Sequence, residues 1–308
     1  MSVYLSEYID PACRARLEER FEVVDTFEEP EEVEALLVQA VEVDASLMDG
    51  LPNLKVIAKV GVGCDNIDLD AARKRGIAVT NTPGANANAV AELIVGLVLD
   101  VCRNITLADA KSQAGAFPAV APQEMCGIEV GGKTLGLIGA GNISRILAKI
   151  LGGGFGCTVV AYDPYMSKEA MDSMGYEKVE TVDEVIGRSD IVNVAVPLTP
   201  ETENLISGAA FDKFRPNAIL VNAARGGIVN EDDLYDALVT GKLRAAACDA
   251  FVCEPPTAET TRLFELDNFI GTPHIGACTE EALARMGEQA VADIACVLEG
   301  GQPAHRVV

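Results

Sequence analysis

Short aliphatic and β-branched runs alternate along the chain with longer segments whose apolar residues recur at helical spacing. In the first third the strand-like runs are Val3–Leu5, Glu22–Val24, Leu36–Val38, Lys55–Lys59 and Ile77–Thr80. A second series comprises Leu135–Ile138, Thr158–Tyr162, Ile191–Ala195, Ala218–Asn222, Ala245–Cys248 and Phe269–Gly271. Strand–helix alternation of this kind builds parallel sheets covered by helices on both faces. Eleven strands exceed the usual size of one sheet, so the pattern predicts an α/β protein with two doubly wound parallel-sheet domains. The apolar, helix-like segment Ala89–Asn104 separates the two series, and its core, Leu93–Leu99, is bounded by Glu92 and Asp100. It therefore reads as a core helix rather than a membrane span. Glu280–Leu298 follows the last strand and has no strand after it. It is expected to pack back on the first domain, giving residues 1–100 with 283–308 as one domain and 101–282 as the other. Gln113–Ile128 has no period and reads as a loop.

Composition narrows the function classes. The 308 residues are 49% hydrophobic, enough for two real cores. A net charge of −23 argues against nucleic acid and anionic membranes as partners. It also repels small anions at long range, so any anion site must carry its own local cation. The nine cysteines are odd in number, scattered and without a C-x-x-C pair. Neither a disulfide framework nor a zinc site fits that spacing, and no metal is expected. Reduced, mostly buried thiols of a cytoplasmic protein are the expected reading. Met1–Leu5 is too short, and too soon followed by acidic residues, for a secretory signal.

Leu135–Ile138 runs into Gly139-Ala-Gly-Asn-Ile-Ser144 and then a helix-like stretch. Gly139 permits a tight turn, and Gly141 lets backbone approach a pyrophosphate at a helix N-terminus. Ser144, a small residue, replaces the third glycine of the dinucleotide fingerprint. Asp163 closes the next strand, 22 residues after Gly141 (163 − 141). A carboxylate there grips the ribose hydroxyls of NAD and repels the extra phosphate of NADP. Gly152-Gly-Gly154 falls where the fingerprint helix should end, and the helix is expected to stop near Leu151 or to be loose there.

Three consecutive strand ends deliver Arg225, Glu254 and His274. His274 is one of only two histidines; the other, His305, lies near the C-terminus, where chains are usually poorly ordered. A carboxylate beside an imidazole fixes its orientation and favours its protonated form, which suits proton donation to a carbonyl. An arginine clamps a carboxylate through two parallel hydrogen bonds. Together they make a site for hydride exchange between NADH and a 2-oxo acid.

Several longer segments then carry a family resemblance: Lys59–Asp68, Asn81–Gly84 with Val90–Glu92, Gly132–Gly141, Val196–Thr202, the Arg225 and Asp249–Pro255 stretches, and Thr272–Ala277. Together they resemble the D-isomer-specific 2-hydroxyacid dehydrogenases, a family that includes phosphoglycerate dehydrogenase and glyoxylate/hydroxypyruvate reductase. The resemblance implies a Rossmann NAD-binding domain and a smaller flavodoxin-like substrate domain. It implies Arg225, Glu254 and His274 as the catalytic set. It implies cofactor contacts at Gly139, Gly141, Asn142, Ile143, Asp163, Val196, Pro197 and Thr202, and at Ala223, Asp249 and Gly276. Lys59, Val62 and Gly63, with Arg225, are the implied substrate contacts, and dimerisation through the cofactor domain is implied as well. Lys59 stands where the family usually has arginine, Gln39 ends a strand where arginine is common, and Phe117–Pro122 lacks the basic and tryptophan residues often found there. The first two departures, in a chain of net charge −23, make a doubly charged phosphate ester harder to hold, and the third weakens the assignment of any one substrate. The alternatives at this point are phosphoglycerate dehydrogenase itself, a non-catalytic NAD-sensing regulator, or a formate or phosphite oxidiser of the same superfamily.

Overall fold

The computed structural model describes residues 1–117, 120 and 123–308. The chain divides into two compact units, Met1–Ala89 with Ala277–Val308, and Val90–Gly276. Both boundaries fall earlier than 100/101 and 282/283. The reason is local: Ala85 and Ala89 pack with the first unit's core, whereas Val90, Ala91 and Ile94 pack with the second's.

In the first unit β1 (Ser2–Leu5), α1 (Pro11–Glu18), β2 (Glu22–Val24), β3 (Val33–Val38), α2 (Ala45–Asp49), β4 (Val56–Lys59), α3 (Leu69–Arg75) and β5 (Ala78–Thr80) follow one another. The three helices start on Asp10, Asp44 and Asp68, whose carboxylates accept first-turn N–H groups. The strands form a wholly parallel sheet in the order β2-β1-β3-β4-β5. Its two faces are buried against different cores: Ala35 and Leu37 on one side, Leu36 and Val38 on the other. That is why β3 reads as an unbroken apolar run. The last helix, Glu280–Leu298, packs on β3, β4 and α1.

After this helix the chain returns to β5. The Val307 N–H donates to the Val79 carbonyl at 2.7 Å, and the Asn81 N–H to the His305 carbonyl at 3.2 Å. His305 Nδ1 lies 2.9 Å from Oδ2 of buried Asp293, whose Oδ1 accepts the Ala304 N–H at 2.8 Å. This corrects the expectation of a poorly ordered tail. A helix carboxylate and a sheet edge, both distant in sequence, supply the partners.

The second unit contains α4 (Ala87–Arg103), which starts just before it, then α5 (Ile105–Gln113), β6 (Thr134–Ile138), α6 (Asn142–Phe155), β7 (Thr158–Tyr162), α7 (Lys168–Ser173) and β8 (Tyr176–Lys178). It continues with α8 (Val182–Arg188), β9 (Ile191–Val194), β10 (Ile219–Asn222), α9 (Glu231–Val239), β11 (Ala245–Cys248) and β12 (Phe269–Gly271). All pairs are parallel, in the order β12-β11-β10-β9-β6-β7-β8. Seven strands replace the expected six. The unforeseen β8 is a three-residue edge strand, Tyr-Glu-Lys, too short and too polar to announce itself. Within Gln113–Ile128, read as a loop, residues 118, 119, 121 and 122 lie outside the described residues, as does most of Phe117–Pro122; Gln123–Met125 is a single 3-10 turn. The direction of strand progression reverses between β6 and β9, and ligands of such sheets bind beyond the carboxyl ends at that point.

The expectation that α6 stops near Leu151 is also corrected, since the helix runs to Phe155. Ser144, Leu147, Ala148 and Leu151 are buried along one side, and Gly156 caps the end at φ 67°. The Gly156 N–H donates to the Gly152 carbonyl and the Cys157 N–H to the Leu151 carbonyl, both at 3.1 Å. Packing and this cap outweigh the entropy cost of the glycine run. A methyl group on Gly153 would meet nothing within 4 Å. Gly153→Ala is therefore expected to raise stability by about 0.5–1 kcal/mol, read as a higher urea midpoint at unchanged slope.

All nine cysteines are free, but only four are buried: Cys13, Cys102, Cys157 and Cys248. The expectation of mostly buried thiols is thus corrected, because Cys126, Cys253 and Cys278 lie on exposed loops. Burial pushes the Cys13 and Cys102 thiols up to about 11, which keeps them unreactive. Among the described residues no helix is long and apolar enough to cross a membrane, and no group of three or more His, Cys, Asp or Glu could hold a metal.

Candidate active site

The glycine turn leaves β6 at Gly139, which sits at φ 92°. A Cβ there would lie 2.5 Å from the Ala195 carbonyl oxygen and 3.0 Å from Val196 Cγ1, so only glycine lets the turn pass the end of β9. A Cβ on Gly141 would instead point into open space. That opening lies over the N-terminus of α6, where Asn142 and Ile143 present first-turn N–H groups. Ser144 is fully buried and donates to the Gly139 carbonyl at 2.7 Å, replacing a third glycine with a hydrogen-bonded wedge. Half-buried Asp163 follows β7 directly. Its Oδ2 accepts the Ala140 N–H at 3.0 Å and its Oδ1 the Tyr165 N–H at 2.9 Å. Each carboxylate oxygen keeps a second lone pair for a ribose hydroxyl. A cradle open at Gly141, a helix N-terminus and a carboxylate at the next strand end fit a dinucleotide.

Beyond β9, Val196 packs beside the turn and Pro197 is exposed. The Thr202 hydroxyl donates to the Pro197 carbonyl at 2.6 Å and accepts the Thr199 N–H at 2.8 Å. Its visible work is to shape this loop.

Arg225 follows β10. The side chain of Asn222, itself 2% exposed, accepts the Ala224 N–H at 3.1 Å and donates to the Arg225 carbonyl at 2.9 Å. This Asx turn bends the Ala223–Arg225 segment out of the strand. A Cβ on Gly226 would sit 2.0 Å from the Phe251 carbonyl carbon, so the Arg225 and Glu254 loops touch backbone to backbone.

Glu254 lies in the loop after β11. Its Oε1 accepts the Phe251 N–H at 3.0 Å, and Oε2 lies 2.9 Å from His274 Nδ1. Burial alone would push the Glu254 carboxyl up. The hydrogen bonds from His274 and Phe251 and the positive charges of His274 and Arg225 outweigh burial and hold it below the usual range. With Nδ1 engaged, Nε2 is the imidazole nitrogen left for a substrate; the His274 side chain is 45% exposed. Arg225, Glu254 and His274 are thus brought together in one unit with the glycine turn.

Asp249 directly follows β11. It is 2% exposed, and its carboxylate accepts from Thr272 Oγ1 at 2.6 Å and from the Ile275 and Gly276 N–H groups, each at 2.8 Å. The backbone of Gly276 is therefore engaged by Asp249 as well.

Lys59, Val62 and Gly63 belong to the first unit. Lys59 Nζ donates to Asn66 Oδ1 at 2.8 Å and to the Gln39 carbonyl. The loop after β4 is held by Asn81, which donates to the Val62 carbonyl at 2.7 Å, and by Thr82, whose hydroxyl accepts the Gly61 N–H at 2.9 Å. Asn81, Thr82 and Asn222 were missed as site-shaping residues. The available signal was a short polar side chain directly after a buried strand, where it can bond backbone.

Residues 95–276 match the NAD binding domain of the D-isomer specific 2-hydroxyacid dehydrogenases. The chain is 42% identical over 277 residues to D-3-phosphoglycerate dehydrogenase of Methanocaldococcus jannaschii, covering 90% of this chain and 52% of that one. It therefore spans about half the length of that curated relative. It is 43% identical over 265 residues to hydroxypyruvate reductase of Thermotoga maritima, covering 85% of this chain and 84% of that one. The crystal structure of a protein from Thermus thermophilus superposes with a TM-score of 0.91 at 34% identity, each chain covered over 100% of its length.

Proposed function

The chain belongs to the D-isomer specific 2-hydroxyacid dehydrogenase family, and from that membership and the site geometry we propose an NAD-dependent enzyme that interconverts a D-2-hydroxy acid and its 2-oxo acid. The observation that carries this reading is the 2.9 Å contact between His274 Nδ1 and Glu254 Oε2, in the same unit as the glycine turn. When bound, NAD supplies or accepts the hydride. Gly139, Gly141, Asn142 and Ile143 would hold its pyrophosphate, Asp163 its ribose, and Val196 and Pro197 its adenosine half, with Ala223 as a further contact. Glu254 holds the imidazole by Nδ1, which fixes its orientation. His274 Nε2 then gives its proton to the substrate carbonyl oxygen in reduction and takes it back in oxidation. The guanidinium of Arg225 clamps the substrate carboxylate and supplies the local cation that a chain of charge −23 requires.

The preferred substrate is a small unphosphorylated 2-oxo acid. The Lys59 ammonium is engaged by Asn66 and Gln39 within its own unit, which leaves it poorly placed to hold a phosphate ester. D-3-Phosphoglycerate is the second reading, favoured by the likeness to the Methanocaldococcus enzyme. The presence of all three catalytic residues disfavours a non-catalytic sensor. A cytoplasmic homodimer assembled through the second unit completes the proposal.

An NADH-oxidation screen over about ten 2-oxo acids, with and without phosphate, tests it. Turnover with glyoxylate, hydroxypyruvate or a longer 2-oxo acid is expected; absence of turnover across the panel, with NADH still bound, refutes it. In Asp163→Ser, preference for NADH over NADPH is expected to narrow about 10- to 100-fold in kcat/KM, since the ribose acceptor and the repelling charge vanish together.

A further inference from the structure

We propose that a cleft on the flank of α6, by the amino ends of β6, β7 and β8, is a second small-molecule site, which takes an organic anion with an apolar body. The cleft lies in the second unit and encloses about 960 Å³. One wall is α6; the other is β7 and the turn into β8. Thr134, Thr158 and Tyr176, which line it, are the first residues of their strands. The glycine turn and Asp163 stand at the opposite, carboxyl ends of β6 and β7 and line no part of it. The cleft is therefore separate from the dinucleotide cradle.

Three donors set its polar end. Tyr176 is 8% exposed, yet its hydroxyl makes no hydrogen bond among the described residues and opens on the cleft. A buried polar group without a partner is costly, and a ligand oxygen would supply one. Burial pushes the Tyr176 phenol up while the Arg145 charge acts in the opposite sense, which puts that guanidinium near the ring. Arg145 Nε donates to the Ala140 carbonyl at 3.3 Å, and the guanidinium meets no carboxylate among the described residues. Lys149, one helical turn further on, likewise forms no ion pair among them. Arg188, also on the wall, is by contrast held by Glu177 at 2.6 Å. Arg145 and Lys149 thus supply the local positive charge that an anion needs on a chain of charge −23.

The glycine run accounts for the apolar end. Arg145, Ala148, Lys149, Gly152 and Gly153 all line the cleft, at i, i+3, i+4, i+7 and i+8 along one face of α6. Glycine inside a helix is unfavourable, and no contact demands it at 153, where a Cβ would meet nothing within 4 Å. Its effect is to leave that half of the cleft open above Ala148, Val159 and Met174, which belong to the apolar core beneath. A cavity of this size, with an apolar floor and a few convergent donors, suits a small molecule. A carboxylate, phosphate or sulfonate would accept from Arg145, Lys149 and the Tyr176 hydroxyl, with the apolar body laid over Gly152 and Gly153.

Fluorescence titration with anilinonaphthalene sulfonate, an anionic group on an apolar body, tests this, with NADH at saturation to keep the cradle filled. A single saturable site is expected. Phenylnaphthylamine, the same body without the charge, should bind about ten-fold more weakly. Tyr176→Phe should weaken the sulfonate about three- to ten-fold and leave the neutral dye unchanged. The double variant Arg145→Gln with Lys149→Gln should weaken the sulfonate about ten-fold with the same selectivity. Gly153→Leu, whose side chain fills the open half, should abolish binding of both dyes while NADH affinity stays at the wild-type value. Equal affinity for the two dyes, a sulfonate affinity unmoved by the tyrosine and charge variants, or binding that survives Gly153→Leu would each overturn the proposal. So would a change of oligomeric state in Gly153→Leu, read by sedimentation, which would make the cleft a seat for a second copy. If Gly153→Leu does not fold, the tyrosine and charge variants decide the matter. The titration reads binding alone, so its outcome is independent of the proposed oxidoreductase reaction.

Discussion

In His274→Gln, reduction of a 2-oxo acid is expected to slow about 10²- to 10⁴-fold, the range supplied by a positioned general acid. NADH affinity should hardly change, because the glycine turn and Asp163 remain. Glutamine fills similar space and can still bond Glu254, yet it cannot deliver a proton, so the loss should appear in kcat more than in KM. Single-turnover kinetics with NADH prebound would separate the two; full activity in the variant would remove His274 from the chemistry. The pH profile supplies a linked check on its partner. Because the Glu254 carboxyl is held below the usual range, the folded protein binds its proton only at lower pH than the unfolded chain does. The contribution of the ionised pair is therefore complete above the ordinary glutamate value of about 4.3 and is lost as pH falls through the lowered one. Wild type should keep its reductase activity into that acid range for as long as it stays folded. Glu254→Gln should be slower throughout and show no such limb.

Replacing Arg225 with glutamine is expected to lower kcat/KM for 2-oxo acids about 10²- to 10³-fold. Breaking a desolvated charge pair commonly costs about 2–5 kcal/mol, and no other cation in the second unit is proposed to meet the substrate carboxylate. The loss should be confined to acids: a ketone of the same size without a carboxylate, reduced slowly by wild type, should be reduced at a similar rate by the variant. Equal losses on both substrates would assign Arg225 to the loop instead of to the substrate. The conservative Arg225→Lys variant should recover only part of the activity, because an ammonium cannot reproduce the planar two-bond fork.

The elements legible in the sequence were those with a strong local signature. Gly139, with no room for a Cβ against Ala195, and Asp163, one residue beyond β7, could be placed from spacing alone, because the strand–turn–helix geometry fixes where such residues must fall. The elements missed depend on partners far away in the chain. β8 is a strand only because β7 lies beside it. None of the residues of α5 is fully buried, so no apolar stripe marks it as a helix. The persistence of α6 through Gly152–Gly154 depends on a cap at Gly156 and on packing that single-residue propensity does not contain. At the site, the catalytic types stood out, but the side chains that aim them did not. Asn222 and Asp249 act through backbone N–H groups, and such bonds leave no pattern beyond a polar residue at the end of a buried strand. Asp249 was read from likeness as a cofactor contact, and its hydrogen bonds to the loop that carries His274 had no signal of their own in the sequence.

The return of Ala304–Val308 to β5 also bears on how the protein behaves at high concentration. β5 is the end strand of a five-stranded parallel sheet, and a bare end strand is a template on which a second molecule can add its own strand. The tail occupies that rim in antiparallel pairing at Thr80 and Arg306, and the Asp293–His305 bond anchors it to the last helix. The molecule thereby supplies its own edge cover, and self-association by strand addition is blocked on that side of the first sheet.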